Sequence, residues 1–121
     1  MSDEDFQRNY RNTIGLFATG VTVILAAKDG DVRGMTANAV TSLSLDPTLL
    51  LFCPAKDARI SSYCTVGSSF TVNILGVHQE GISNHFAGAD SEPEHAFIEW
   101  DEAGDTPRIA DSLACVGCKA H

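Results

Sequence analysis

Val21-Thr22-Val23-Ile24-Leu25-Ala26-Ala27, then Lys28-Asp29-Gly30-Asp31, then Val32-Arg33-Gly34-Met35-Thr36-Ala37 is the stretch whose reading decides the fold. The first run is rich in β-branched residues and predicts a strand over 21–27. Asp29-Gly30 between two strand-like runs is a strong hairpin signal, because the tightest hairpin turns need positive φ at both central residues. The return strand is expected over 32–37. An antiparallel β structure is therefore the starting point, and the rest of the chain is read outward from it.

Upstream, Phe6, Tyr10, Thr13/Ile14 and Phe17 recur at helical spacing with Arg8, Arg11 and Asn12 opposite. This predicts an amphipathic helix over 3–17, capped by Ser2 and favoured by the acids Asp3 to Asp5 near its positive end. Thr19-Gly20 reads as its stop. Downstream, Asn38 to Leu45 is a polar segment rich in Thr and Ser, closed by Asp46-Pro47. Leu49 to Cys53 is apolar throughout and is expected to be a strand buried on both sides. Lys56 to Cys64 reads as a loop entering a short helix, Ser68 to Leu75 as a strand, and Val77 to Ala87 as a second helix with Ile82 and Phe86 on one face. Phe97 to Trp100 is the one strand-like island expected in the acidic stretch that follows. Ser112 to Ala120 begins a last strand. Short strands, hairpin turns and a few short helices predict a small antiparallel barrel, of mainly β or α+β class.

The chain has 121 residues and a hydrophobic fraction of 44%, which fits a single domain over 1–121 with its own core. No apolar run reaches the ~18 residues of a spanning helix. The start, Met1-Ser2-Asp3-Glu4-Asp5, is acidic where a secretory signal is basic, so a cytoplasmic location is expected. A net charge of −8 disfavours nucleic acid and anionic membrane as partners. Between Asp90 and Asp111 eight acids face one base, Arg108, and that stretch is expected to be a solvated surface segment.

The four cysteines read as reduced thiols. Cys115-Val116-Gly117-Cys118 lacks a second pair at zinc spacing and is not followed by a helix pattern, which disfavours a redox or metal role. His121, three residues further along a strand, would point to the opposite face. His78, His85, His95 and His121 match no ligand pattern, so no metal site is expected. No nucleophile triad, phosphate-binding loop or paired carboxylates stand out, and no catalytic acid or base is expected.

Two constellations remain. Gly34-Met35-Thr36-Ala37-Asn38-Ala39-Val40-Thr41-Ser42 is a row of small and polar residues at a strand end. A flat ligand laid against backbone would need such a row, with N–H, C=O and hydroxyl groups free to bond its polar edge. A threonine-rich edge strand would look the same. Lys56-Asp57-Ala58-Arg59, followed by Ile60-Ser61-Ser62, places two of eight bases where a loop enters a helix. A phosphate could bind there, and scattered surface charge is the other reading.

Both constellations together resemble the short-chain flavin reductases, the reductase component of two-component flavin-dependent monooxygenases within the FMN-binding split-barrel group. The shared text is Phe17-Ala18-Thr19-Gly20-Val21-Thr22-Val23, Asp29-Gly30, Gly34 to Ala39, Thr41 to Pro47, Leu51-Phe52-Cys53-Pro54, Phe70 to Leu75, and Gln79 with Phe86-Ala87. The resemblance implies a split β-barrel homodimer that binds FMN or FAD and takes hydride from NADH or NADPH, supplying reduced flavin to a separate oxygenase. By position, Thr36 and Asn38, Ala39, Val40, Thr41 and Ser42 would meet the isoalloxazine. Ala55, Lys56, Asp57, Ala58, Arg59, Ile60, Ser61 and Ser62 would hold the phosphate, and Phe86 and Ala87 would lie near the flavin. Ala58 stands where the family often has a hydroxyl. The family's Gly-Asp-His motif has no counterpart here, so the resemblance implies a chain lacking the last barrel strands. A flavin- or haem-binding protein without turnover is the alternative.

Overall fold

The structure is a computed structural model that describes residues 2–54, 58–88, 97–102, 104 and 106–121. The hairpin forms as its sequence demands. β1 (Thr22–Lys28) and β2 (Asp31–Ala37) run antiparallel with Lys28 opposite Asp31. Asp29 (φ 53°) and Gly30 (φ 81°) make the two-residue turn, both in the left-handed region that Gly adopts freely and Asp tolerates. β5 (Ser69–Ile74) pairs with the other side of β1, and β8 (Ala114–Lys119) pairs with β5. The main sheet thus runs β2-β1-β5-β8, with β1 inside. The chain is mainly β; among the described residues its strands pair antiparallel and there are two α-helices.

Alternation along β1 divides the core in two. Ile24 and Ala26 join Ala37, Ile60, Phe70 and Val72 on one face, while Val23 and Leu25 join Leu75 and Ile109 on the other. β3 (Val40–Leu45) and β4 (Thr48–Phe52) form a separate hairpin on the first face, and a 3-10 helix (Arg59–Tyr63) lies there too, with Ile60 buried. The second face carries α2 (Glu80–Phe86), entered through a 3-10 turn at Val77–Gln79, and the hairpin of β6 (Ile98–Trp100) with β7 (Pro107–Ile109).

Several expectations are corrected. Burial on both sides belongs to β1, where Val23 to Ala26 are wholly enclosed, and not to the run from Leu49 to Cys53. Among the described residues that run pairs only with β3 and meets one layer, and Leu51 and Cys53 are exposed. The acidic stretch is not simply solvated, and Phe97 to Trp100 is not its only strand. Pro107–Ile109 forms β7, and both end residues are buried against the sheet. The first helix, α1 (Asp3–Ile14), stops earlier than expected, at Gly15. Ser2 caps it by accepting from the Asp5 N–H at 3.2 Å. None of its residues is buried, so Phe6, Tyr10 and Ile14 leave their apolar face in solvent. The second helix begins as a 3-10 turn, because Gln79 turns back to accept the Gly76 N–H at 2.9 Å and donates to the Ala110 carbonyl at 3.0 Å.

Asn73 ties the second face together. It is fully buried, donates to the Val23 carbonyl at 3.0 Å and to Thr71 Oγ1 at 2.9 Å, and accepts the Ile109 N–H at 2.9 Å. Thr71 in turn donates to the Pro107 carbonyl at 2.8 Å. This polar network fastens the β6–β7 hairpin to the sheet. No helix is long and apolar enough to cross a membrane among the described residues.

Candidate functional site

β2 is an edge strand of the main sheet. Because Asp31 closes the two-residue turn with Lys28, the ladder alternation turns the main-chain groups of Arg33, Met35 and Ala37 toward β1. Those of Gly34 and Thr36 point away from it. None of the hydrogen bonds among the described residues takes these outward groups. They are main-chain donors and acceptors along an edge lined by small side chains.

The two sides of this edge differ. On the second face, Thr36 donates from Oγ1 to the Ser83 carbonyl at 2.5 Å, which holds α2 against β2. Phe86 lies over Gly34 so closely that a Cβ there would sit 2.4 Å from its ring. Only glycine permits that approach. Phe86 also meets Phe97 edge to face, with ring centroids 5.9 Å apart. On the first face, Ala37 and Ile60 share one core cluster, with Val40, Phe52 and Ala58 packed against it. The Cys53 N–H donates to the Ala39 carbonyl at 3.2 Å.

The residues expected from the sequence therefore fall into three groups. Asn38, Ala39, Val40, Thr41 and Ser42 form the connection from β2 into β3, with all but Val40 exposed. Val40 to Ser42 lie within β3, one of the two strands of a separate sheet, so this part of the stretch is an edge strand. Ala58, Arg59, Ile60, Ser61 and Ser62 lie beside it on the first face. Ile60 is buried and contributes packing, whereas Arg59 and Ser62 are exposed, and Ser62 Oγ donates to the Arg59 carbonyl at 3.1 Å. Phe86 and Ala87 stand across the sheet, with Phe86 and Thr36 on the second face. Ala55, Lys56 and Asp57 lie outside the described residues.

Main-chain groups at the β2 edge could pair with a flat polar ligand, and an exposed cation nearby could pair with an anionic tail. Arg59 is an exposed cation with no ion pair among the described residues, and Asn38 makes no side-chain hydrogen bond to them. Two cavities of about 650 and 600 Å³ lie elsewhere, on the two faces of β8. They touch none of the expected residues. Both border the open edge of β8, where the sheet stops and the β3–β4 and β6–β7 hairpins overhang it. They are gaps between layers, and no motif in the sequence points to a ligand there.

Cys115 and Cys118 sit on opposite faces of β8, and all four cysteines are free. Burial pushes the thiols of Cys64, Cys115 and Cys118 above their ordinary range. Among the described residues no three His, Cys, Asp or Glu side chains gather in a metal-binding group. Sequence reasoning missed Tyr63, Asp31 and Arg33, which meet beside the 3-10 helix. Asp31 and Tyr63 are 32 positions apart, and no local pattern joins them.

The family model for the flavin reductase like domain matches residues 14–121. Among curated relatives, an NADH-dependent flavin reductase from a Rhodococcus species is 37% identical over 111 residues, covering 89% of this chain and 62% of that protein. The NADH-dependent FAD reductase of Streptomyces globisporus is 37% identical over 116 residues, covering 92% and 63%. Among solved structures, a nitrilotriacetate monooxygenase component B homologue from Mycobacterium thermoresistibile superposes with a TM-score of 0.86 at 36% identity, covering 99% of this chain and 67% of that one. The Streptomyces globisporus NADH:FAD oxidoreductase solved with NAD and FAD fragments gives a TM-score of 0.83 at 36% identity, covering 100% and 73%. The chain belongs to the flavin reductase like domain family, and its fold is the split-barrel-like fold of those structures. It spans somewhat under two thirds of the length of these two curated relatives.

Proposed function

We propose that this protein, acting as one flavin-reductase-like domain over residues 1–121, takes part in the NAD(P)H-dependent reduction of FMN or FAD and supplies reduced flavin to a separate monooxygenase component. The observation that carries the reading is the outer edge of β2. Outward main-chain groups at Gly34 and Thr36 continue into the exposed Asn38-Ala39 turn, and Arg59 stands on the adjoining first face. Such an edge suits a ring whose polar rim is read by backbone, with a cation near its phosphate. Relatives named as NADH-dependent flavin and FAD reductases, and as reductase subunits of monooxygenases, support the same reading.

The flavin, when bound, supplies the chemistry by accepting hydride from the nicotinamide. This chain's residues bind and orient it. Thr36, Asn38 and Ala39 to Ser42 would hold the ring side, and Lys56, Arg59, Ser61 and Ser62 the phosphate side, with Ala55, Asp57, Ala58 and Ile60 as further residues of that side. Phe86 and Ala87 would approach from the second face. Two copies would associate, because the apolar face of α1 and Leu43, Leu45 and Leu51 are uncovered in one chain. The location would be cytoplasmic.

The test is NADH oxidation, followed by absorbance, with FMN or FAD added and flavin binding titrated in parallel. Turnover that scales with protein supports the reading. Binding without turnover moves the protein to a flavin-binding role, and failure to bind either flavin removes the proposal.

A further inference from the structure

The 3-10 helix at Arg59–Tyr63 is one short turn with no side-chain cap at its start. Such a turn has little stability alone, so its orientation depends on what holds it from outside. On a 3-10 helix, residues three apart eclipse. Ile60 and Tyr63 therefore share one side, and Arg59 and Ser62 share another. Ile60 is buried in the first core cluster and the Tyr63 ring packs against it, while Arg59 and Ser62 face solvent. Rotation of this turn would move Arg59 directly.

The Tyr63 hydroxyl donates to Asp31 Oδ2 at 2.5 Å, and the same oxygen lies 3.4 Å from Arg33 Nε. Asp31 and Arg33 are both on β2, on the face that carries the 3-10 helix. The Arg33 guanidinium is held above its ordinary range, first by hydrogen bonding to Tyr63 and then by the Asp31 charge. The three groups form one contact, and it joins the end of the turn to the same strand whose other end carries Thr36. Asp31 and Arg33 offset each other's charge, so the contact adds geometry and no net charge.

We propose that Tyr63, clasped by Asp31 and Arg33, is a positioning residue that sets Arg59 and Ser62 for the phosphate of the bound flavin. This rests on the flavin reading above. The test titrates FMN and riboflavin, which lacks the phosphate, into the wild-type protein and Tyr63→Phe, reading flavin fluorescence over a range of salt concentrations. Tyr63→Phe keeps the packed ring and removes only the hydroxyl. The FMN Kd should rise about 3- to 10-fold, the effect of one modest hydrogen bond. The riboflavin Kd should stay within about twofold, and the salt dependence of FMN binding should not change, because no charge is lost. Asp31→Asn, which keeps an acceptor without the charge, should weaken FMN less than Tyr63→Phe.

An unchanged FMN Kd in Tyr63→Phe overturns the clasp, as does equal weakening of FMN and riboflavin, which would mean general loosening. A wild-type protein that binds FMN no better than riboflavin removes the phosphate placement itself, and the clasp with it. That result is distinct from an FMN-preferring wild type that the substitution leaves unchanged.

Discussion

Replacing Asn73 with Ala removes the centre of the polar network on the second face. Its amide group makes three hydrogen bonds, and the three partners are affected differently. The Val23 carbonyl sits in the β1 ladder, and Thr71 keeps its bond to the Pro107 carbonyl. The Ile109 N–H has no such alternative, and Ile109 is buried. An unpaired buried donor costs about 1–3 kcal/mol, and the two lost donations contribute about 1 kcal/mol each. The expected loss is about 3–5 kcal/mol, a large part of the ~5–15 kcal/mol that holds a domain. With a urea m-value of ~2 kcal/mol per molar, the midpoint should fall by about 1.5–2.5 M. Trp100 is the sole tryptophan and stands on β6, in the hairpin that Asn73 anchors, so its fluorescence reports the site of damage. The Trp100 transition should shift at least as far as the far-ultraviolet circular dichroism. A midpoint change below ~0.5 M, equivalent to ~1 kcal/mol, would refute the assignment of Asn73 as the anchor.

Gly34→Ala should destabilise by about 1–3 kcal/mol in thermal unfolding, since its Cβ would lie 2.4 Å from the Phe86 ring and 2.8 Å from Leu25 Cδ2. The cost should shrink in a Phe86→Leu background, and additive costs would contradict the contact. Iodoacetamide should label the exposed Cys53 before Cys115 and Cys118 at neutral pH. Burial raises the pKa of the latter two, so less of each is thiolate at a given pH, and their rates should climb as pH rises. Equal labelling rates at all three positions would contradict that ordering.

The β1–β2 hairpin was legible because Asp29-Gly30 is a local requirement for positive φ, satisfied wherever those residues fall between two strands. α2 was legible for a similar reason, since the spacing of Ile82 and Phe86 records its buried face. β7 was not. Pro107–Ile109 is three residues long and lies among acids, and it is held by Asn73, 36 positions earlier in the chain. The apolar run from Leu49 to Cys53 records a preference for burial but not how many layers will meet it. Only the strand order shows that β1, with neighbours on both edges and packing on both faces, takes the enclosed position. The candidate site was visible as a row of small residues in 34–42. Its division between the two faces was not, because that depends on where α2 and the 3-10 helix dock.

That division bears on how one strand can serve a ligand. Along β2, Met35 and Ala37 face the first core, while Gly34 lies under Phe86 and Thr36 holds α2. Both faces are therefore committed to packing, and the direction left open is the plane of the sheet itself, outward from β1. A planar ring placed there would meet backbone, because the side chains from Gly34 to Ala37 are either small or turned into a core. This accounts for a segment dominated by Gly, Ala, Thr and Ser without requiring any of them to act chemically. On the proposed flavin reading, recognition of a charged tail would fall outside β2, on the neighbouring turn that carries Arg59. Substitutions at Ala37 or Gly34 would then act on binding through packing, and substitutions at Arg59 through charge.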